Sequence, residues 1–181
     1  MPRNFDNFIT AYMEYASVSE APAKFHFWTA VSVIAGALRR KVWLDMGRFH
    51  WFANFYIILV APPGWKKSSS VGIGTSLLRR VEGVHFGPDA ITWQALVTAL
   101  ASSKEEFMVD DEIIPMSALT IESGELGNLI NPQDREMVDL LVTLWDGRVT
   151  FTKQTKMSGN DEVENPWVNL IACTTPIWSA G

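Results

Sequence analysis

A lysine followed by a hydroxyl side chain, Lys67-Ser68, closes a short loop that follows an apolar run. This pattern is typical of a phosphate-binding loop, in which backbone N–H groups surround the phosphates, the lysine reaches the β and γ oxygens, and the hydroxyl coordinates Mg²⁺. The usual spacing, G-x-x-x-x-G-K-[ST], would place glycines where this chain has Ala61 and Lys66, and Gly64 lies inside the loop. The sequence therefore indicates an altered nucleotide-binding loop, although a ligand-free turn before a helix would use the same residue types.

The segments on either side of this loop have the expected character. Residues 55–60 form an apolar run that predicts a strand buried on both faces, and residues 69–81 have helical spacing. Arg79 and Arg80 lie in the last turn of this predicted helix, where the negative end of the helix dipole favours cations. The positive end of the helix, with its free N–H groups, then faces the loop. The candidate ligand-binding residues are Pro63, Gly64, Trp65, Lys66, Lys67, Ser68 and Ser69.

Further polar side chains follow two other predicted buried strands. Glu122 and Glu125 follow the first of them, and Thr174 and Thr175 follow the second. Because ligands of open α/β sheets bind beyond the carboxyl ends of the strands, we expect all four near the lysine loop. Such a set suits nucleoside-triphosphate hydrolysis: a carboxylate holds Mg²⁺ or polarises a water, and a hydroxyl senses the γ-phosphate. Taken singly, each residue is better explained by local structure: the glutamates as helix-start or turn residues, and the threonines as the end of a strand.

The alternation of strands and helices predicts an α/β fold of three layers, with a mainly parallel sheet between helices. Residues 1–52 are predicted to form a small helical N-terminal region with a short hairpin around Gly47, as a cap or a neighbour-contacting platform, and residues 53–181 the core. The predicted core strands are 55–60, 84–86, 116–121 and 168–173, and residues 149–153 are predicted to form an exposed strand of a hairpin. The predicted helices are 69–81, one from Thr92, and one from Asn131 to Asp146.

Composition limits the class of protein. The chain has 181 residues, of which 48% are hydrophobic and 19% charged, which indicates a globular fold. The formal net charge of −5 argues against affinity of the whole surface for nucleic acid. Cys173, the single cysteine, lies in an apolar run and is predicted to be a buried structural thiol. A polar N-terminus and no apolar span of about 20 residues predict a cytoplasmic protein with no membrane contact.

The order of these motifs resembles the P-loop ATPases of phages and mobile elements, of the replication helicase or primase-helicase type. Proteins of this type tolerate a basic residue before the P-loop lysine, as at Lys66. The resemblance implies a RecA-like or related core with a degenerate Walker A loop, binding ATP and Mg²⁺ and working as a ring or filament on DNA in a bacterial host cell. The matching stretches are Glu20-Ala-Pro, Phe25-His-Phe-Trp, residues 34–44, Asn54 to Gly64, Lys67-Ser68, Glu125-Leu-Gly, Glu164-Asn-Pro, Asn169-Leu-Ile-Ala and Thr174-Thr-Pro.

Roles for the polar residues follow from this resemblance. Lys67 and Ser68 would be the Walker A pair. Glu125 would activate the attacking water because it stands in the Glu-Leu-Gly match, and Glu122, which follows its strand directly, would join Ser68 on the metal side. Either Thr174 or Thr175 would sense the γ-phosphate.

The resemblance also implies parts that this sequence lacks. Such ATPases continue with a fifth core strand and supply an arginine finger to a neighbouring subunit. The core is thus expected to be truncated after its fourth strand, with weak or no turnover by the 181-residue chain. The remaining candidates for a trans-acting cation are Arg135, Arg148 and Lys153.

Two groups of basic residues are candidate contacts to single-stranded DNA. One is Arg39-Arg40-Lys41 after a predicted helix, and the other is Lys153 with Lys156 on a predicted hairpin. A solvated helix end and an ordinary polar hairpin explain them equally well. A rival function for the chain is a non-catalytic, degenerate P-loop module that acts through protein–protein contacts of a surface supplied by its eight tryptophans.

Overall fold

The computed structural model describes residues 7–131, 134–147, 150–155 and 159–177. The helices are α1 (Phe8–Ala16), α2 (Ala23–Leu38), α3 (Lys67–Leu78), α4 (Trp93–Ser102), α5 (Leu126–Leu129) and α6 (Arg135–Trp145), with a 3₁₀ turn at Arg39–Lys41. The strands are β1 (Trp43–Asp45), β2 (His50–Phe52), β3 (Tyr56–Val60), β4 (Phe86–Gly87), β5 (Lys104–Val109), β6 (Glu112–Ser123), β7 (Thr150–Thr155), β8 (Gly159–Glu164) and β9 (Pro166–Thr174).

The central sheet is mixed and mostly parallel, which confirms the α/β class. Its parallel strands lie in the order β3-β9-β6-β4, and β5 pairs with β6 in the antiparallel direction. The β5 strand was not predicted. It is joined to β6 by Asp110 and Asp111, which have φ angles of 47° and 66° and form the tight turn that hairpins normally build with glycine or asparagine.

Helices cover both faces of this sheet. Alternate residues of β9 point in opposite directions: Leu170 packs in the cluster built by α4 and α6, whereas Ile171 packs beside Val71 of α3. Asn169 Nδ2 donates a hydrogen bond of 3.1 Å to the Ser32 carbonyl, which fixes α2 on the second face. The N-terminal helix α2 therefore contributes a layer of the core and is not a separate cap, while the boundary at residue 52 stays a prediction.

The strand before the lysine loop differs from its prediction. β3 lies at the edge of the sheet, with β9 as its one neighbour in the described chain. Ile57 and Leu59 are buried, but Ile58 and Val60 keep 43% and 45% of their surface exposed. The strand is buried on one face only. On its other face, no described element covers Ile58 and Val60. A continuous apolar run does not distinguish an edge strand from a central one.

Local capping sets the limits of the helices. Thr92 accepts a hydrogen bond from Ala95 N–H and begins α4 as predicted. The α6 helix begins later than predicted, because Asp134 rather than Asn131 caps it by accepting from Met137 N–H at 3.2 Å. Gly147, with a φ of 67°, follows the end of this helix as expected. None of the described helices is long and apolar enough to cross a membrane.

Candidate functional site

The loop over residues 61–66, which we call the 61–66 loop, joins the carboxyl end of β3 to the first turn of α3. Gly64 and Lys66 both have positive φ angles, 86° and 56°. Lys66 is the residue before the helix and its side chain makes no capping hydrogen bond. The first helical hydrogen bond runs from Ser70 N–H to the Lys66 carbonyl. The N–H groups of residues 67–69 thus have no partner within the helix, which is the arrangement that binds anions.

Lys67 folds back over this loop. Its Nζ donates hydrogen bonds to the Ala61 carbonyl at 2.6 Å and to the Pro62 carbonyl at 3.1 Å. These two neutral acceptors hold the ammonium inside the curve of the loop. Because opposite charges attract each other in addition to forming hydrogen bonds, an anion at this point would be a better partner for the ammonium than a neutral carbonyl.

A cavity of about 410 Å³ opens at this loop. Its lining combines three segments that are far apart in the sequence, and it includes every loop residue that the sequence singled out. The lining residues are Pro63, Gly64, Trp65, Lys66, Lys67, Ser68, Ser69, Gly124, Glu125 and Thr175. Gly124 was not predicted to belong to the site, although its position next to Glu125 in the sequence could have indicated that it does.

Glu125 reaches this cavity from the turn after β6. Its Oε1 accepts a hydrogen bond of 3.2 Å from the Thr174 hydroxyl, and Ser123 Oγ donates to its backbone carbonyl at 2.9 Å. Thr174 is buried, with 1% of its surface exposed. The two threonines therefore differ: Thr174 orients the carboxylate, and Thr175 lines the cavity.

Glu122 has different surroundings from Glu125. It is part of β6, it is not among the lining residues, and its carboxylate accepts from Arg79 Nη2 at 3.2 Å. The Arg79 guanidinium also lies 3.8 Å from the centre of the Phe86 ring. The carboxylate is therefore engaged in an ion pair, and its predicted metal role stays a prediction.

The pKa of the Cys173 thiol is influenced by the charged side chains at this edge of the sheet. It is buried as predicted, and burial raises its pKa to about 11. The positive charge of Lys67 acts in the opposite direction, while the negative charges of Glu122 and Glu125 add to the increase. One cation and two carboxylates therefore lie close enough to the end of β9 to influence the same sulfur.

The prediction that Arg39, Arg40 and Lys41 contact DNA is wrong for the two arginines. Arg39 and Arg40 are each only 6% exposed. Arg39 makes an ion pair and hydrogen bond with Glu105 and a hydrogen bond with the Gly83 carbonyl. These guanidinium groups stabilise the core and offer no surface to phosphates.

Arg40 is held by backbone carbonyls and an aromatic ring. Its guanidinium donates to the Pro166 carbonyl at 3.1 Å and to the Gly147 carbonyl at 3.2 Å. The guanidinium carbon lies 4.0 Å from the centre of the Phe52 ring. Burial lowers the pKa of Arg40 to about 10, so it remains charged near neutral pH.

The other basic candidates are more dispersed. Lys41 is partly exposed, with its Nζ 6.0 Å from the centre of the Phe107 ring. Lys153 lies on β7, and Arg135 is exposed at the start of α6. Lys156 and Arg148 lie outside the described residues.

The residues of the cavity fit the phosphates of a nucleotide with Mg²⁺. Free helical N–H groups, Lys67 and the curve of the 61–66 loop provide the donors that phosphate oxygens require. The described residues contain no group of three or more metal-ligating side chains. Mg²⁺ needs no such group, because it keeps several waters and takes one or two protein oxygens plus substrate phosphates.

Comparison with known proteins adds no family assignment. No protein-family model matches the chain, and no curated protein matches it. The function is therefore inferred from the residues and the geometry of the cavity.

Proposed function

We propose that this chain binds ATP with Mg²⁺ in the cavity and is the ATP-hydrolysing motor domain of a phage or mobile-element replication helicase, acting on DNA as an oligomer. The observation that supports the proposal is the composition of the cavity. The 61–66 loop, the first turn of α3, Glu125 and Thr175 meet at the carboxyl ends of neighbouring parallel strands. Phosphate-binding and water-polarising groups are needed together for phosphoryl transfer.

The loop and α3 would bind the phosphates. The N–H groups of residues 67–69 point their partial positive charge into the cavity, and the helix dipole adds to this field. Lys67 would exchange the Ala61 and Pro62 carbonyls for phosphate oxygens. Its present position holds the ammonium near the loop, so the exchange requires only a rotation of its side chain.

Glu125 would accept the proton of the attacking water. One of its oxygens is engaged by Thr174, so the orientation of the carboxylate is restrained while the other oxygen is available. The Thr175 hydroxyl lines the same cavity and would contact the γ-phosphate. Mg²⁺, when bound, neutralises charge that develops on the phosphates. Ser68, which lines the cavity, would hold it, and Glu122 would join Ser68 by leaving its ion pair with Arg79.

The proposed contact to single-stranded DNA is the β7–β8 hairpin. The β7–β8 hairpin leads directly into β9, so the Glu164 end of β8 lies at the amino end of β9, away from the cavity. If Lys153 and Lys156 contact the phosphate backbone, binding must weaken steeply with salt. The double substitution Lys153→Ala/Lys156→Ala should reduce both affinity and its salt dependence in an assembled oligomer. Unchanged affinity and slope would remove this hairpin as the DNA contact.

A second function, that of a non-catalytic interaction module, is favoured by one observation. The outward face of the β1–β2 hairpin is apolar and exposed, with Leu44 64%, Phe49 52% and Trp51 59% accessible. Exposed apolar surfaces of this kind mark contacts with other proteins. The two functions differ in whether the cavity binds nucleotide.

Thermal unfolding in the presence of nucleotide separates the two functions. A ligand that binds only the folded chain stabilises it by about 2.7 kcal/mol when present at 100 times its Kd. Mg-ATP should therefore raise the unfolding temperature of the wild-type chain and not that of Lys67→Ala. If Mg-ATP leaves the wild-type unfolding temperature unchanged at millimolar concentration, the interaction-module function is the better account.

A further inference from the structure

A cluster of buried polar side chains, which we call the polar pocket, lies between α1, α2 and α3, away from the cavity lining. Three of its side chains are Tyr12 on α1 and His26 and Thr29 on α2, which are 2%, 2% and 0% exposed. Their polar atoms Tyr12 Oη, His26 Nε2 and Thr29 Oγ1 find no hydrogen-bond partner among the described residues. Buried polar groups are rarely left without a partner, because the loss of water is not compensated.

The Tyr12 side chain lies beside those of both His26 and Thr29. The rings of Tyr12 and His26 lie 6.4 Å apart, measured between their centroids. A side-chain carbon added at Gly74 of α3 would lie 3.0 Å from Tyr12 Oη and 2.3 Å from Thr29 Cγ2. The glycine thus allows the three helices to approach closely around these groups. A shared water molecule with two or more partners would satisfy such a cluster.

The same histidine also contacts the helix that follows the 61–66 loop. His26 Nδ1 lies 3.0 Å from the hydroxyl oxygen of Ser70, and Ser70 is fully buried in the first turn of α3. The Ser70 N–H makes the first hydrogen bond of that helix, to Lys66. The imidazole therefore connects the polar pocket on one side with the start of α3 on the other.

We propose that this pocket is an internal water site shared by Tyr12, His26 and Thr29, and that His26 is a positioning residue that fixes the first turn of α3 and with it the 61–66 loop. The Ser70 hydroxyl donates to Nδ1, which puts the ring proton on Nε2, where the water accepts it. The water in turn donates to the hydroxyl oxygens of Tyr12 and Thr29. Tyr12 Oη, His26 Nε2 and Thr29 Oγ1 then each have one hydrogen-bond partner, with a neutral imidazole.

The surroundings favour that neutral form. Burial lowers the pKa of His26 from 6.5. Among the described residues, the groups placed against the imidazole are the Tyr12 phenol and the Ser70 hydroxyl. Burial and the neighbouring Tyr15 raise the pKa of Tyr12 to about 12, so the phenol is also neutral near neutral pH.

The water site is tested by the direction of a stability change. Tyr12→Phe and Thr29→Val remove one hydroxyl each with little change of shape. If a water satisfies these hydroxyls, both variants unfold at lower urea concentration than the wild type, as Tyr56→Phe must, because that variant removes the hydrogen bond to the Leu141 carbonyl. An unchanged or higher unfolding midpoint for both variants would overturn the water site, because removing an unsatisfied buried hydroxyl is neutral or stabilising.

The positioning role is tested by hydrogen exchange of residues 64–70 without nucleotide, so the result is independent of the proposed ATP binding. His26→Asn places an amide where Nδ1 lies, whereas His26→Gln places one where Nε2 lies. His26→Asn should keep the loop protected. His26→Gln and Ser70→Ala should increase loop exchange about fivefold, as expected for one lost hydrogen bond. Ser70→Ala also serves if a His26 variant fails to fold, and unchanged loop exchange in Ser70→Ala overturns the positioning role.

Discussion

The Thr174 hydroxyl donates a hydrogen bond of 3.2 Å to Glu125 Oε1 and so connects the last residue of β9 to the turn that follows β6. A buried hydroxyl thereby restrains an exposed carboxylate at the rim of the cavity. This contact joins two residues that sequence analysis selected separately, and it gives them different roles. Glu125 faces the ligand, while Thr174 orients Glu125.

The first prediction concerns this carboxylate. Glu125→Gln should retain Mg-ATP binding, because it keeps the shape of the side chain. It should remove the residual ATP hydrolysis, with an expected loss of about 10²–10⁴-fold, because an amide cannot accept the proton of water. Phosphate release and equilibrium binding, measured on the same preparation, check both statements.

Glu122 provides the comparison for this experiment. Glu122→Gln should weaken the Mg²⁺-dependent part of ATP binding, and Arg79→Met, which breaks the same ion pair from the other side, should not. If Glu125→Gln lost binding and Glu122→Gln lost only hydrolysis, the two roles would have to be exchanged.

The second prediction concerns the strained residue of the 61–66 loop. Lys66 has a φ of 56°, in the left-handed region that costs a residue with a Cβ about 1–2 kcal/mol. Lys66→Gly should therefore be more stable than Lys66→Ala by about 1 kcal/mol, since both remove the side chain and only glycine relieves the strain. Urea unfolding measures the difference. Equal stability of the two variants would show that the backbone is not strained there.

The third prediction separates structural arginines from surface cations. Arg40→Ala should lower the free energy of unfolding by about 2–3 kcal/mol, because it removes hydrogen bonds to two backbone carbonyls and the contact with Phe52. Lys41→Ala, one residue away and partly exposed, should change it by no more than about 0.5 kcal/mol. Urea denaturation of both variants checks this, and similar losses would contradict the buried role of Arg40.

The fourth prediction is a dependence of stability on pH. The pKa of His26 in the folded chain lies below 6.5, so the unfolded chain binds more protons as the pH falls below 6.5. Stability contributed by the neutral imidazole is thus complete above pH 6.5 and is lost as the pH falls towards the folded pKa, by up to about 1.4 kcal/mol per pH unit. The wild type should lose more stability between pH 7 and pH 5 than His26→Gln does. Parallel curves would contradict the prediction.

The composition of the cavity was predictable from the sequence because each part obeys a local rule. The lysine loop follows an apolar strand, and Glu125 and Thr175 follow two others, so the rule for parallel sheets brings their ends together. The β5–β6 hairpin was not predictable, because Asp110 and Asp111 are unusual residues for a turn with two positive φ angles.

The corrected elements depend on tertiary contacts. Nothing in the run Arg39-Arg40-Lys41 shows that Glu105, or the Pro166 carbonyl, would meet the two arginines in the core. The edge position of β3 is likewise a matter of which strands become its neighbours, and that information is not local to residues 55–60. Patterns of charge and hydrophobicity identify helices and strands better than they identify burial.

Calorimetric titration with Mg-ATP tests the central claim most directly. We expect saturable binding to the wild-type chain with a Kd in the micromolar range. Lys67→Ala should lose that binding, because the ammonium is the cation at the centre of the loop. Lys41→Ala, the control substitution of another lysine, should retain it, because Lys41 does not line the cavity. Absence of saturable binding to the wild type, or equal binding by Lys67→Ala, would contradict the proposed nucleotide site.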